Sequence, residues 1–594
     1  MAGAYTAIRD YAVIGDGRTA ALVALDGSID WLCLPNLDSP SVFAALLDAE
    51  RGGRFELRPE GPFEARRRYL AGTNVLETTF TTATGVVRVT DAMTLPGPGL
   101  VPLRELARRI EGLAGEVTLR WRVVPRFGYG IGTTRIEPRR PFPLALSGTD
   151  VLAACAWDAG SVSVAGGELG GQFQIAEGRR ALLVLCASHG EPLVIPGRAA
   201  VEERLDRTIA FWQRWSSNLT YDGPWRDAVV RSALALRTLV FAPSGAIAAA
   251  VTTSLPEALG GERNWDYRFC WIRDSSFTLE ALLQLGCHDE ATSFFWWFMH
   301  ATRLTIPQLQ VFYRLDGGAY APERALPLEG YRGSRPVRTG NGAASQLQLD
   351  TFGDLMDTAW LYADKGFHLD RDTAANLARV ADFVGHHWCD RDAGIWEVRA
   401  APRHHTHSKA MCWVALDRAV RLAERGQLPR RHLRWWRAEA LRIRAFIDTH
   451  CWSEDKQSYV WYAGSRDLDA ALLLLSIMRY AEPNDPRLRA TVRAVERELT
   501  RGALVYRYTG DDGMVSGEGA FLCCSFWLAE ALALEGRRDD AAAIMETVVG
   551  LANDVGLYAE EVDPSSHEFL GNFPQALVHL ALISTALAMN RRGA

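Results

Sequence analysis

The spacing of apolar positions divides the chain into two regions. Over residues 1–200, apolar and polar positions alternate in short runs separated by Gly and Pro, as in residues 74–82, 86–91 and 117–124. A period of two with turn residues at this spacing is typical of antiparallel strands. The sequence therefore predicts an N-terminal antiparallel β-sandwich over residues 1–200.

The pattern becomes helical from residue 201 onward. A linker helix is predicted over 201–220, followed by amphipathic segments that share a polar or small first residue, an early aromatic and an Ala/Leu-rich body. Clear examples are residues 274–282, 357–362, 411–416, 524–531 and 573–580. Recurrence of one helix type predicts a closed ring of about six helical pairs over residues 221–594.

Composition narrows the range of partners. The 594 residues are 48% hydrophobic and 23% charged, which fits a soluble protein of two or more domains. The formal net charge is −6 and no basic run is present, so neither nucleic acid nor an anionic membrane is an expected partner. A small neutral substrate fits better, and 19 Trp residues supply aromatic faces of the kind that grip sugars.

Targeting and metal signals are weak. Residues 1–10 lack the pattern of a signal peptide and no segment reads as a membrane span, so a cytoplasmic protein is expected. The ten cysteines form no C-x-x-C pair and are predicted to be reduced core residues. His404, His405 and His407 lack a second ligand group at partner spacing, so neither a metal nor another cofactor is expected. The oligomeric state stays open.

Two acidic patches stand at breaks between helical segments, at residues 394–399 and 557–564. The first contains Trp396 and Glu397, and the second contains Tyr558, Glu560 and Glu561. Cleavage of an acetal between sugars needs a protonated acid and an ionised carboxylate, and an adjacent aromatic ring can desolvate a carboxyl and stack on a sugar. The alternative interpretation is a pair of solvated surface carboxylates.

Four groups of motifs occur in the same order along the chain as in a known family. They occupy residues 10–16 with 27–41, 261–274, 394–399 with 407–413, and 558–564 with 571–575. In these segments the chain resembles glycoside hydrolase family 15, the glucoamylase, glucodextranase and bacterial trehalase group. The resemblance implies a β-sandwich followed by an (α/α)6 barrel, and hydrolysis of terminal α-glucosidic bonds with inversion.

The resemblance also assigns the two catalytic roles. Glu397 is expected to be the general acid, held protonated by burial, and Glu560 the ionised general base. An inverting enzyme needs roughly 6.5–9.5 Å between such carboxyls, to leave room for water. Of the adjacent pair Glu560 and Glu561, only one is expected to face the pocket while the other forms a structural ion pair. Glu518, between two glycines, is the best competing carboxylate and is expected at the rim.

Further residues are expected to bind the substrate. Trp271, Arg273 and Asp274 match the family positions that hold the non-reducing glucose, and Asp274 is also expected to cap a helix over residues 275–286. Trp265 is either a pocket wall or core. His407 and Lys409 follow the acid loop and either bond the sugar or brace the loop. The full set of expected substrate-binding residues is Trp265, Trp271, Arg273, Asp274, Trp396, His407, Lys409, Tyr558 and Glu561.

The substrate itself is left open. A broad exo-α-glucosidase that releases β-glucose from maltodextrin or isomalto-oligosaccharide stands first. The named alternative is α,α-trehalase, because residues 556–561 and 571–575 look more like the bacterial trehalase branch. A non-catalytic carbohydrate-binding protein is the alternative from another class. Phosphorolysis is disfavoured, because a carboxylate at Glu560 would repel the phosphate anion.

Overall fold

The N-terminal region is built from strands. A computed structural model describes residues 5–96, 104–514 and 517–591, so the predicted ranges 1–200 and 221–594 each include residues outside it. The strands are β1 Tyr11–Gly15, β2 Ala20–Ala24, β3 Ile29–Cys33, β4 Ser41–Phe43, β5 Phe55–Pro59, β6 Glu64–Tyr69, β7 Leu76–Thr81, β8 Gly85–Met93, β9 Glu105–Val123, β10 Arg135–Glu137, β11 Leu144–Ser147, β12 Asp150–Trp157, β13 Ser163–Ala165, β14 Glu168–Ala176 and β15 Arg180–His189.

One long strand, β9, joins the two sheets of this domain. Its first half pairs antiparallel with β8 and β15, in a sheet that also holds β6, β7 and β10 to β12. Its second half pairs with β5 and β14, in a sheet that also holds β1 to β4 and β13. The strand crosses between them at residues 113–116, the run that is exposed to solvent. The predicted antiparallel sandwich is confirmed.

Helices dominate the remainder of the chain. They are α1 Arg198–Ser217, α2 Arg226–Leu239, α3 Ser275–Gln284, α4 His288–Arg303, α5 Thr351–Asp364, α6 Arg371–His387, α7 Thr406–Glu424, α8 Leu433–His450, α9 Leu474–Ile477, α10 Pro486–Leu499, α11 Leu522–Leu534, α12 Arg538–Val549 and α13 Ala576–Asn590. The first of these covers most of the predicted linker segment 201–220. The exact domain limits stay a prediction.

Alternate helices close into a ring. Each inner helix packs on the next in the order α3, α5, α7, α9, α11, α13, and α13 packs on α3. Nearly every residue of α11 and α13 is buried, whereas the outer helix α10 buries one stripe, as expected for helices on the two sides of a barrel wall. The five helices predicted to share one form are all inner helices. The predicted (α/α)6 barrel is confirmed.

Short antiparallel ladders order the loops of the barrel. They are formed by β16 Val240–Phe241, β17 Ala246–Ile247, β18 Cys270–Trp271, β19 Phe312–Tyr313, β20 Arg324–Leu326, β21 Val337–Thr339, β22 Trp452–Ser453, β23 Ser458–Tyr459, β24 Thr500–Arg501, β25 Leu504–Val505, β26 Ala520–Phe521, β27 Glu561–Val562 and β28 Phe569–Leu570. Because an outer helix runs back between successive inner helices, the inner helices all begin at one mouth of the ring. Ladders β18–β19 and β26–β27–β28 lie at that mouth.

The β domain and the barrel share one continuous apolar core. Polar contacts also cross between them: the Trp31 indole donates to the Val251 carbonyl at 2.8 Å, and Arg268 donates to the Ser39 carbonyl at 2.8 Å. Nine of the ten cysteines are buried, as predicted, and Cys389 is exposed. Among the described residues, no helix combines the length and apolarity needed to cross a bilayer.

Candidate active site

The loop between α6 and α7 carries Glu397 in a constrained conformation. Gly394 has φ +73°, and a Cβ there would lie 2.9 Å from the His405 ring, so only glycine fits without a shift. Glu397 itself has φ +51°, a left-handed conformation that costs a non-glycine residue on the order of 1 kcal/mol or more. Strain of this kind persists only where the surrounding structure holds it. Here it directs the Glu397 side chain toward the mouth of the barrel.

Two donors hold the Glu397 carboxyl. Oε1 accepts a hydrogen bond of 3.0 Å from the Trp271 indole, and a guanidinium nitrogen of Arg273 lies 3.5 Å away. Burial raises the pKa of Glu397, whereas Arg273 and the Trp271 hydrogen bond lower it. The Glu397 side chain keeps 18% of its surface exposed. A raised pKa on a carboxyl that a ligand can reach is what a general acid requires.

Glu560 is held in a different way, at the edge of a regular ladder. It directly precedes β27, its backbone N–H donates to the Asn572 carbonyl at 3.2 Å, and its Oε2 accepts from the Asn572 N–H at 3.3 Å. Gly571 has φ +72°, and a Cβ there would lie 2.5 Å from Glu560 Oε2. The turn between Glu560 and Asn572 therefore closes tightly around this carboxyl, which is 1% exposed.

The charge state of Glu560 is set by opposing neighbours. Burial raises its pKa, and the nearby Glu257 carboxylate raises it further, whereas Arg507, the Asn572 N–H and a hydrogen bond from Tyr267 lower it. The net shift is upward. Arg507 and the hydrogen bonds thus offset burial and Glu257 only in part, so the surroundings of Glu560 oppose the ionised state predicted for it at neutral pH.

Two neighbouring aromatic residues connect the carboxyls. The ring of Tyr267 packs edge-on against Trp271 at 5.1 Å; the Tyr267 hydroxyl acts on the Glu560 carboxyl, and the Trp271 indole donates to Glu397. A narrow cavity, of about 40 Å³, opens beside this pair. Its lining comprises Glu257, Arg263, Trp265, Tyr267, Asn341, Trp396, Glu397, Val398, Arg399, Arg507, Asp512 and Met514. Glu397 thus lines the cavity, whereas Glu560 is not part of the lining and lies next to Tyr267, which is.

Arg273 and Asp274 form a buried ion pair next to Glu397. The Arg273 Nε donates to Asp274 Oδ1 at 2.7 Å. Asp274 makes no capping hydrogen bond to α3, and its backbone is helical at φ −82° and ψ −5° where an N-cap is normally extended, so the prediction of an N-cap is wrong. Within the described part of the chain the buried Asp274 Oδ2 has no hydrogen-bond partner. That oxygen is available to a substrate hydroxyl.

Both predicted tryptophan walls line the cavity. Trp265 is half-buried and lies between the guanidinium groups of Arg338 and Arg399, at 4.5 and 4.3 Å from its ring centre. Both arginines pair with Glu323. Trp396 is nearly buried, and its indole donates to Asp469 Oδ1 at 2.8 Å. The two rings are therefore fixed before any ligand binds.

Of the nine predicted substrate-binding residues, Trp265 and Trp396 line this cavity and the other seven do not, and three of those seven have partners elsewhere. Tyr558 donates to the Val549 carbonyl at 3.0 Å and packs edge-on against His579, away from the mouth of the barrel. Lys409 donates to the Asp390 carbonyl and so braces the loop that carries Glu397. Glu561 accepts from the Gly519 N–H at 2.8 Å. For Lys409 the structure shows the loop-bracing alternative, and a sugar contact of Tyr558 or Glu561 stays a prediction.

A further group of buried polar side chains surrounds Arg273. His407 is 3% exposed, and its pKa falls to about 3 through burial, with His405 and Arg273 adding to the fall. Asp350, before α5, has a pKa raised to about 8 by burial and by Asp392. Neither the His407 ring nor the Asp350 carboxyl has a hydrogen-bond partner within the described residues. Sequence reasoning found His407 and missed Asp350, whose position at the entry of an inner helix was the available signal.

The principal feature missed from the sequence is a charge cluster centred on Arg507. One terminal nitrogen of Arg507 lies 2.6 Å from Glu257, 2.5 Å from Glu518 and 3.6 Å from Glu561. Oxygens of the three carboxylates lie within 4.8 Å of one another, and the cation that they share is the guanidinium. Glu561 thus makes the predicted structural ion pair. Arg507 stands between Tyr506 and Tyr508, in the loop that leads to the inner helix α11, which was a usable signal.

Comparisons with known proteins show the family of the chain. The family described as glycosyl hydrolases family 15 matches residues 223–587, and a trehalase-like N-terminal domain matches residues 2–154. The fold is similar to that of a crystal structure of bacterial glucoamylase complexed with acarbose, with TM-score 0.73 and 12% identity, covering 98% of this chain and 94% of that one.

Relatives of similar length match almost the whole chain. Proteins named trehalase from Mycobacterium tuberculosis and Mycolicibacterium smegmatis are 37% and 38% identical, over 98% of this chain and 90% and 91% of theirs. The trehalase of Thermoplasma volcanium is 35% identical over 98% of this chain and 93% of its own. The chain therefore belongs to glycosyl hydrolases family 15 and is a glycoside hydrolase.

Proposed function

We propose that the protein is an inverting α,α-trehalase that hydrolyses trehalose to two molecules of glucose. The observation that carries the reaction type is the placement of Glu397 and Glu560 on either side of the Trp271 and Tyr267 rings. The choice of trehalose is supported by the relatives that bear that name over almost the full chain. Sequence reasoning had placed the maltodextrin or isomalto-oligosaccharide hydrolase first, and the relatives favour the reverse order.

The proposed reaction uses one carboxyl on each face of the scissile bond. Glu397 gives its proton to the glycosidic oxygen as the bond to the first glucose breaks. Glu560 takes a proton from a water molecule, whose oxygen attacks the opposite face of the anomeric carbon. The attacked sugar leaves as β-glucose, and the other sugar keeps its own configuration and leaves as α-glucose.

Arg273 and Asp274 are suited to hold the first glucose. Their ion pair is rigid and buried, and the remaining Asp274 oxygen can accept from a sugar hydroxyl. Trp265 and Trp396 supply apolar contact surface for the sugars at the cavity. A neutral disaccharide is therefore held by fixed dipoles and rings, with Glu397 at its glycosidic oxygen.

A proton NMR time course on trehalose, maltose, maltotriose and isomaltose tests the proposal. We expect trehalose to be consumed fastest, with α- and β-glucose appearing in equal amounts at the earliest times. Faster cleavage of maltotriose would favour the glucoamylase-type activity instead. Only α-glucose at early times would overturn inversion, and no turnover of any sugar would favour a carbohydrate-binding protein.

A further inference from the structure

Glu257 is a buried carboxylate that borders the cavity and has no role in the mechanism above. It lies in the loop between β17 and β18, is 1% exposed, and is part of the cavity lining together with Glu397. Its Oε2 accepts a hydrogen bond of 2.6 Å from Arg507. Its Oε1 has no hydrogen-bond partner among the described residues. A buried carboxylate oxygen without a partner is costly, unless a ligand supplies the donor.

The surroundings of Glu257 fix this oxygen in place. The same Arg507 nitrogen also donates to Glu518, at 2.5 Å, and the guanidinium lies 5.6 Å from the Trp396 ring. Next to it, Arg263 pairs with Asp512 at 2.7 Å, and both of these side chains also line the cavity. Glu257 Oε1 is thus one fixed acceptor in a charged wall that borders the cavity, away from the Arg273 and Asp274 pair.

We propose that Glu257 binds a hydroxyl of the leaving glucose, and so selects a sugar as the leaving group. This inference rests on the proposed function, because it assigns the second sugar of trehalose to the wall formed by Glu257, Arg263, Arg507 and Asp512. A carboxylate accepts from sugar hydroxyls more strongly than a neutral group does. A site built to bond a hydroxyl also rejects groups that lack one, because its polar atom is then left unpaired.

Two other roles for Glu257 must be separated from this one. Its charge acts on Glu560, and it pairs with Arg507, so its loss could impair catalysis without any sugar contact. Both of those effects should lower the activity on every substrate to the same extent. A direct contact with the leaving sugar should matter only for substrates whose leaving group is a sugar. The informative quantity is therefore a ratio of two kcat/KM values, one for trehalose and one for α-glucosyl fluoride, whose leaving group is a fluoride ion.

The experiment compares Glu257→Gln with the matched control Glu518→Gln. Glu518 bonds the same Arg507 and carries the same charge, but it does not line the cavity. In Glu257→Gln we expect the ratio of kcat/KM for trehalose to kcat/KM for α-glucosyl fluoride to fall about tenfold or more, as for loss of a hydrogen bond to a charged group. In Glu518→Gln the ratio should stay within about twofold of the parent protein. Thermal unfolding of each variant checks that it is folded, and Glu257→Asp, which keeps the charge but shortens the reach, should lower the ratio as well.

The outcomes distinguish this inference from the proposed function. Parallel losses on both substrates in Glu257→Gln, with the ratio unmoved, would show that Glu257 acts only through Glu560 or Arg507. If the unmodified protein cleaves α-glucosyl fluoride but not trehalose, the proposed function fails. The ratio is then measured with maltose, whose leaving group is also a glucose, so the role of Glu257 is still decided.

Discussion

The two catalytic carboxyls are supported by opposite means. Glu397 lies on an irregular loop, in a left-handed conformation, with one indole N–H and one guanidinium as its contacts. Glu560 lies beside a three-stranded ladder, is almost completely buried, and is surrounded by backbone and by charged neighbours. The acid is reachable and loosely supported, whereas the base is enclosed and rigid. An acid that must follow the leaving oxygen and a base that must orient one water have these different needs.

The sharpest test of this comparison replaces each carboxyl by its amide. Glu397→Gln and Glu560→Gln should each lower kcat on trehalose by about 10²–10⁴-fold, with the fold intact in thermal unfolding. Fluoride leaves without a proton, so Glu397→Gln should lose much less activity on α-glucosyl fluoride, whereas Glu560→Gln should lose both activities. Equal losses in the two variants on both substrates would contradict the assigned roles.

A second test asks whether charge supports the base region. Arg507→Met leaves three buried carboxylates without their shared cation, and removal of one partner from such a cluster costs about 3–5 kcal/mol. The control is Arg487→Met, because Arg487 pairs with Asp448 at a site where both side chains are 40% exposed. That change should cost at most about 1 kcal/mol. Similar unfolding midpoints for the two variants would show that the Arg507 cluster is not a support.

A third test concerns the tight turn around Glu560. In Gly571→Ala the new Cβ meets Glu560 and the backbone is strained at φ +72°, so kcat should fall by about 10²-fold as the carboxyl is displaced. Gly464→Ala has a similar φ of +79° but nothing within 4 Å of the added atom. It should lose about 1 kcal/mol of stability through strain alone, with kcat retained. A normal kcat in the Gly571→Ala protein would contradict the close contact.

The last test, with the smallest expected effect, concerns the hydrogen bond from Trp271 to the general acid Glu397. The Trp271 hydrogen bond stabilises the ionised form of Glu397 and lowers its pKa, so Trp271→Phe should raise that pKa. The high-pH limb of kcat/KM, where the acid loses its proton, should then move to higher pH. Trp396→Phe is the matched control, because that indole donates to Asp469 instead. A limb that moves down or stays in place in Trp271→Phe would show that this donor does not tune the acid.

Much of the fold followed from local patterns in the sequence. Alternation of apolar residues located β7, β8 and the second half of β9, and the shared helix form located five of the six inner helices. The sixth position was not recognised, because it is filled by a single turn of 3-10 helix, Ala470–Leu473, that runs into the four-residue α9. Helical periodicity is recognised over two or three turns of a helix, so an element this short does not produce a recognisable pattern.

The candidate site was predictable only in part. Motifs located Glu397, Glu560 and the Arg273 and Asp274 pair, but they could not tell which way each side chain points. Tyr558 belongs to the second motif and still faces the core, although strand alternation would place it on the same side as Glu560, because the chain is not a regular strand before β27 begins at Glu561. Glu257 and Arg507 are 250 residues apart and meet only in the folded chain. No spacing rule within the sequence relates them.

The contacts between the two lobes have a consequence for how such an enzyme can be rebuilt. The segment that bears Glu257, Trp265 and Tyr267 is anchored on the β domain, through Trp31 at one end and through Arg268 at the other. A foreign N-terminal domain grafted onto this barrel would have to offer an equivalent indole and carbonyl at those two points. Without those two hydrogen bonds, the segment that lines the sugar pocket loses its support from the β domain. The β domain and the barrel should therefore be exchanged together.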